Sequence, residues 1–124
     1  MILIITLNPL LENRFTYQQI KIGRVNRNPN TVTAAGGKGV NVSRQLKKFG
    51  VKSFNYFFSG GTNGKLFRES LKEEGLEFTF VSTKSETRHA AVVISNKDKL
   101  LTSYFSVDPK ILQSEVDEFK SKLD

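Results

Sequence analysis

Cysteine and tryptophan are missing from the 124 residues, and the single histidine is His89. Without thiols there is neither a disulfide framework nor a thiolate metal site, and one imidazole argues against a zinc centre or a Ser-His-Asp triad. No apolar run approaches the roughly 18 residues that a membrane helix needs. "MILIITL" is too short for a secretory signal and has no basic lead-in. These absences predict a cytoplasmic protein without a membrane partner. Acid is scarce in one half of the chain: residues 1–62 hold nine Lys/Arg against the lone Glu12, while residues 63–124 hold ten against eleven acids. The net charge of +7 is therefore +8 followed by −1. Such an excess suits an anionic ligand, whether phosphosugar, nucleotide or nucleic acid, set against the plainer reading of a solvated basic surface. Glycine also stops early, none occurring after Gly75.

What is present reads as one soluble α/β domain, 38% hydrophobic and 25% charged. "MILIITL" predicts a buried strand, and the Asn/Gly/Pro-broken stretch after it predicts exposed strands leaving the main sheet. Val42, Leu46 and Phe49, at i, i+4, i+7 before Gly50, predict a helix from about Gly39 to Phe49 with that stripe in the core. "VKSFNYFFSGG" predicts a strand. "TNGKLFRESLKEEG" predicts a helix capped by Thr62 or Asn63, with Phe67 and Leu71 inward and Gly75 at its end. "LEFTFV" is a further short strand, and "RHAAVVISNKDKLLTSYF" a hairpin about "NKD". A last helix opens near Ser114, with Asp117 completing a capping box and Val116, Phe119 and Leu123 facing in. This order is that of a mainly parallel sheet flanked by helices, with an extra antiparallel layer.

The stretch "TAAGGKGVNVSRQLKKFG" places Gly36, Gly37 and Gly39 around Lys38, directly before a helix. Close backbone approach and the free amides at a helix start suit anions or hydroxyls. The spacing is neither a Walker A motif nor Gly-x-Gly-x-x-Gly. By itself the stretch is equally a tight structural turn.

The ordered set "ILIITLNP", "GRVNR", "AGGKGVNVSRQLKKFG", "SGGTNGKLFRESLKEEG" and "ETR" resembles the PfkB (ribokinase-like) carbohydrate kinases, in their 1-phosphofructokinase and tagatose-6-phosphate kinase branch. The likeness runs from residue 1 to about 119 and implies the N-terminal part of a fold about twice this length. It implies a ribokinase-like α/β domain with a small β-sheet lid, the lid strands coming from about 12–35 and 87–106. It also implies a sugar held between domain and lid. The family's Leu-Asn-Pro-x-x-Asp carboxylate falls on Glu12, and its Gly-Gly-Lys-Gly-x-Asn on Gly36, Gly37, Lys38, Gly39 and Asn41. The basic lid residues that hold the sugar's phosphate fall on Arg24 or Arg27 and on Arg88. Against these stand plainer readings: solvated arginines, a capping Asn41, a surface Glu12, a surface His89, and "SGGTNG" as a packing turn.

Three departures lie on the substrate side: Glu12 replaces Asp, Ala90 stands where Asn is usual after Thr-Arg-x, and "SVDP" at 106–109 replaces a Gly-Pro-Gly-Pro-like turn. The family's catalytic Gly-x-Gly-Asp has no counterpart, since no glycine follows Gly75. The resemblance thus implies the sugar-binding N-terminal portion of a kinase for a phosphorylated ketohexose, with no catalytic residue of its own. ATP and Mg²⁺ belong to the complete family enzyme and are not expected on this chain alone. The alternative is a non-catalytic phosphosugar-binding module or a homodimer formed through the lid. A nucleic-acid-binding domain is disfavoured, because the basic residues are scattered and no nucleic-acid motif appears.

Overall fold

A computed structural model describes residues 1–124, in the order β1 (Ile2–Thr6), β2 (Leu10–Tyr17), β3 (Asn30–Gly36), α1 (Lys38–Lys48), β4 (Ser53–Gly60), α2 (Gly61–Glu73), β5 (Phe78–Thr83), β6 (Arg88–Ser95), β7 (Leu100–Phe105) and α3 (Gln113–Ser121). The strands divide into two sheets. One is fully parallel, in the order β1-β4-β5; the other runs β3-β2-β6-β7 and is mixed. In the mixed sheet β2 pairs antiparallel with β3 and parallel with β6, and β6 and β7 form the antiparallel hairpin. The two layers are those expected from the sequence. No helix is long and apolar enough to cross a membrane.

Alternation along β4 decides how the parallel sheet is covered. Phe57 faces α1 and α2, where it packs with Val40, Phe67, Leu71 and Leu76. Its neighbours Tyr56 and Phe58 face α3 and pack with Val81 and Phe119. Tyr56 and Phe119 stack with ring centroids 3.9 Å apart, and Tyr56 Oη donates to the Phe119 carbonyl at 2.8 Å. Full burial of Phe67 and Leu71 contributes about 1.5–3 kcal/mol each. Both α1 and α2 end as the sequence predicts: Gly50 donates to Lys47 O and Val51 to Leu46 O, with the same pair of bonds at Gly75 and Leu76. β1 is one of the two edge strands of its sheet, with Leu3 and Ile5 exposed on the face that α3 leaves uncovered.

Three details of the helices differ from the sequence reading. In α1 the buried positions are Val40 and Ser43, with Leu46 half-buried, whereas Val42 and Phe49 are 50% and 77% exposed. The helix is turned by roughly one residue, about 100°. Its buried Ser43 is satisfied by Ser53 Oγ at 3.0 Å and Asn55 Nδ2 at 2.9 Å, which makes a polar residue tolerable there. In α3 the cap is Leu112 rather than Ser114. Glu115, buried three residues on, accepts from Leu112 N at 2.9 Å and Lys84 N at 2.8 Å, two bonds that outweigh a solvent-facing Ser114/Asp117 pair. Phe119 is buried as expected and Val116 half-buried, but Leu123 is exposed. In α2 the cap is Gly60 instead of Thr62 or Asn63. The anion at this helix start comes from Glu86 on the loop before β6, which accepts from Asn63 N at 2.5 Å.

Candidate functional site

Where β1 ends, β2 and β6 begin and α1 starts, the chain forms an open cavity of about 470 Å³. Thr6 and Asn8 come from β1 and the turn after it, Gly37, Lys38 and Gly39 from the start of α1, and Arg88 and Phe105 from the lid. Carboxyl ends of parallel strands are where α/β folds leave room for ligands, because the strand-to-helix loops diverge there.

The glycine stretch has a local reason at each step. Gly37 has φ +104° and lets β3 turn into α1. Gly39 lies against β1 so closely that an added methyl would stand 1.9 Å from Thr6 Oγ1 and 3.2 Å from Ile4 Cγ2. Backbone can come this near to Thr6 only without a side chain. The first turn of α1 carries no acid, so its amides and Lys38 leave the cavity floor positive.

Register places Leu10, Arg88 and Gly36 side by side on one face of the mixed sheet, with Glu12, Ala90 and Ala34 next along it. The Glu12 carboxylate abuts Gly36: a methyl there would come within 2.9 Å of Oε2. Its other oxygen accepts from Arg14 Nε at 2.5 Å. Arg88 is mostly buried. One guanidinium nitrogen donates to Asn8 O at 3.0 Å, another lies 3.7 Å from Asp108 Oδ1, and Cζ sits 5.1 Å from the centre of the Phe105 ring. On three residues of this lining one polar atom each, Thr6 Oγ1, Asn8 Oδ1 and Arg88 Nε, is buried and finds no partner within the protein. Buried polar groups are normally hydrogen-bonded, so a hydroxyl-rich or anionic ligand matches this lining.

Arg44 anchors the glycine stretch from behind. Its Nε and Nη2 reach Glu74 at 2.6 and 2.8 Å, Nη1 reaches Asn41 Oδ1 at 3.0 Å, and Nη2 also donates to Ala35 O at 2.5 Å. The hydrogen bonds it donates to Glu74 hold the guanidinium above its ordinary pKa against the opposing effect of burial, with the Glu74 and Glu12 charges adding to the rise. Ala35 N donates to Ser70 Oγ at 2.8 Å, so both polar groups of the residue before Gly36 are held by side chains of the α/β body.

Gly37, Lys38, Gly39 and Arg88 line the junction cavity together, whereas Glu12 and Gly36, adjacent to each other on the mixed sheet, lie beside it and do not line it. Asn41 lies beside them, but its side-chain oxygen is occupied by Arg44 and it faces a separate hollow with Gln45 and Lys48. Arg24 is not brought to Arg88: it lines a different cavity of about 500 Å³ with Phe15, Tyr17 and Tyr104, on the opposite face of the lid sheet. Arg27 is exposed on the same loop. His89 is exposed and meets Asn63 at 3.1 Å, and Asn63 also donates to Thr87 O, so "SGGTNG" packs against the start of β6. Thr6 and Asn8 were not singled out from the sequence. They flank Leu7 in the quoted "TLNP" run, where a polar residue ending an apolar strand is the available signal.

Residues 4–122 match the pfkB family carbohydrate kinases. Over 123 residues the chain is 34% identical to a tagatose-6-phosphate kinase of Staphylococcus epidermidis, covering 99% of this chain and 39% of that protein. Over 88 residues it is 39% identical to a 1-phosphofructokinase of Bacillus subtilis, covering 71% of this chain and 29% of the relative. Among solved structures, one described as a possible 1-phosphofructokinase from Thermotoga maritima superposes with a TM-score of 0.89 at 32% identity, over 98% of this chain and 39% of that one. Phosphofructokinase-2 of Escherichia coli in complex with fructose-6-phosphate shares the fold at a TM-score of 0.89 and 23% identity, over 98% and 40% of the two chains. The chain thus spans about two fifths of the length of the relatives it matches from end to end.

Proposed function

This chain belongs to the pfkB family of carbohydrate kinases, and from that premise we propose that residues 1–124 form the sugar-binding N-terminal part of an ATP-dependent phosphosugar kinase acting on fructose 1-phosphate, fructose 6-phosphate or tagatose 6-phosphate. The observation that carries this reading is the junction cavity, which Arg88 and Lys38 line together with Thr6 and Asn8, residues whose buried Oγ1 and Oδ1 have no partner within the protein. Arg88 binds the phosphate through its fork of donors, helped by Lys38 and the amides that open α1. Gly37 and Gly39 let the backbone come close, and the Glu12 carboxylate, which stands beside Gly36 outside the cavity lining, accepts from sugar hydroxyls that extend past it. Asn41 orients the first turn of α1 through Arg44. Arg24 and Arg27 stand off this cavity, and any contact they make with the phosphate requires their loop to approach from outside it.

ATP and Mg²⁺ serve the complete family enzymes by supplying and neutralising the transferred phosphoryl group. Within these residues no three His, Cys, Asp or Glu side chains gather in a metal-holding group, and no glycine follows Gly75. No phosphoryl-transfer step is assigned to these residues. The role of the chain is to bind and orient sugar. These 124 residues alone are expected to release no ADP above buffer with magnesium, ATP and any of the three sugar phosphates; magnesium-dependent release would contradict this.

Binding is tested by calorimetric titration of fructose 1-phosphate against fructose, on the chain and on Arg88→Ala. A preference for the phosphorylated sugar, weakened by the substitution, supports the reading. Equal affinity for both sugars overturns it. A second reading, a lid-mediated dimer, is favoured by β7, whose six residues are all exposed and include Leu100, Leu101, Tyr104 and Phe105. Sedimentation equilibrium of the chain and of Tyr104→Lys tests it: a dimer lost on substitution supports it, and a monomer at high concentration contradicts it.

A further inference from the structure

We infer that Asp108 occupies the anion position on Arg88 and thereby sets how far this site prefers a phosphorylated sugar over a neutral one; the inference rests on the phosphosugar reading above. One oxygen, Asp108 Oδ1, lies 3.7 Å from the Arg88 guanidinium and accepts from Asn8 Nδ2 at 3.2 Å. It therefore bridges Arg88 and the Asn8 side chain, two residues that line the cavity, and Arg88 also rests on the Phe105 ring. A phosphate approaching the Arg88 guanidinium at the nitrogen that faces Asp108 arrives next to this carboxylate.

The backbone on both sides of Asp108 is tied down. Two residues before it, Ser106 N donates to His89 O at 2.8 Å and Ser106 Oγ accepts from His89 N at 2.9 Å. Two residues after it, Lys110 N donates to Ser85 Oγ at 3.1 Å. Pro109 further restricts residue 108 to extended conformations. The strap cannot carry the carboxylate far from Arg88, although the side chain itself is exposed and can rotate. A phosphate monoester, with a charge of about −1.5 to −2, must break this pair and then remain close to a like charge. A neutral sugar meets no such opposition. Asp108 is thus a specificity-determining residue that holds phosphosugar affinity down while leaving the hydroxyl contacts alone.

The test is calorimetry of fructose 1-phosphate and of fructose at fixed low salt on four proteins: the chain, Asp108→Asn, Arg88→Ala, and the double variant. Asn keeps the size of the side chain and an acceptor for Asn8 while removing the charge. The expected result is that Asp108→Asn tightens fructose 1-phosphate roughly 3- to 10-fold, the range set by an exposed ion pair plus the removed repulsion. Fructose should be unaffected, and the gain should vanish in the double variant. If Asp108→Asn leaves fructose 1-phosphate unchanged while Arg88→Ala weakens it, the phosphosugar reading stands and the role of Asp108 is refuted. A gain that survives in the double variant also refutes it, because the phosphate is then not on Arg88. If neither the chain nor Asp108→Asn prefers fructose 1-phosphate to fructose, the phosphosugar reading fails and the inference falls with it.

Discussion

Removing Arg44 should loosen the lid-body junction and cost more than its half-exposed position suggests. The ion pair with Glu74 is 27% and 35% exposed on its two sides, so solvent screens it and it contributes no more than about 1 kcal/mol. The bond to the carbonyl of buried Ala35 is charge-assisted and less screened, in the class worth about 1.5–3 kcal/mol. Arg44→Ala should therefore destabilise the chain by about 2–3 kcal/mol. Glu74→Gln retains Arg44 and its bonds to Ala35 and Asn41, and should cost about 1 kcal/mol or less. Arg44→Lys keeps the charge without the fork and should fall between the two. Urea unfolding followed by circular dichroism reads all three as midpoint shifts at constant m. If Arg44→Ala and Glu74→Gln are equally mild, the guanidinium is solvated and does not clamp Ala35.

Two further perturbations probe packing. Burial raises the phenol of Tyr56, with the nearby Glu118 charge adding to it. A group held above its ordinary value contributes stability that is complete below about pH 10 and is lost as pH rises beyond it. Tyr56→Phe should cost about 1 kcal/mol at neutral pH through the lost bond to Phe119 O, and should flatten the fall in melting temperature between roughly pH 9 and 11. Identical slopes for the two proteins would count against the burial argument. Gly39→Ala should destabilise by about 1–3 kcal/mol despite the better helix propensity of alanine, because its methyl meets Thr6 Oγ1; a neutral or stabilising effect would show that α1 does not press on β1.

The strands were readable where one physical signal dominated. The apolar run of β4 and the β-branched, aromatic arms of β6 and β7 left no competing period, and the glycines after α1 and α2 marked their ends. Helix faces were harder to read. Choosing the most apolar stripe of α1 selected Val42 and Phe49, yet the fold buries Val40 and Ser43, because Gly39 must approach β1 and the Ser43 hydroxyl is satisfied by Ser53 and Asn55. Caps failed in the same way: local Ser and Asn candidates lost to carboxylates of Glu115 and Glu86, whose bonds span elements distant in sequence. At the site, Gly37, Lys38 and Gly39 of one short segment line the cavity together, whereas Asn41 of the same segment faces another hollow. Arg24 and Arg88 are 64 positions apart on the chain, Arg24 on the loop after β2 and Arg88 in β6, and the sequence does not show over which face of the lid sheet that loop folds; it folds over the face opposite Arg88.

The central claim is that a phosphorylated sugar binds at the end of β1, between the glycine stretch and Arg88. Amide chemical-shift mapping during a fructose 1-phosphate titration tests it most directly. The account predicts concerted shifts at Thr6, Asn8, Gly37, Gly39 and Arg88, with Gly23, Thr102 and Tyr104 on the far face of the lid unmoved. Shifts confined to that far face, or none at millimolar sugar phosphate, would contradict it.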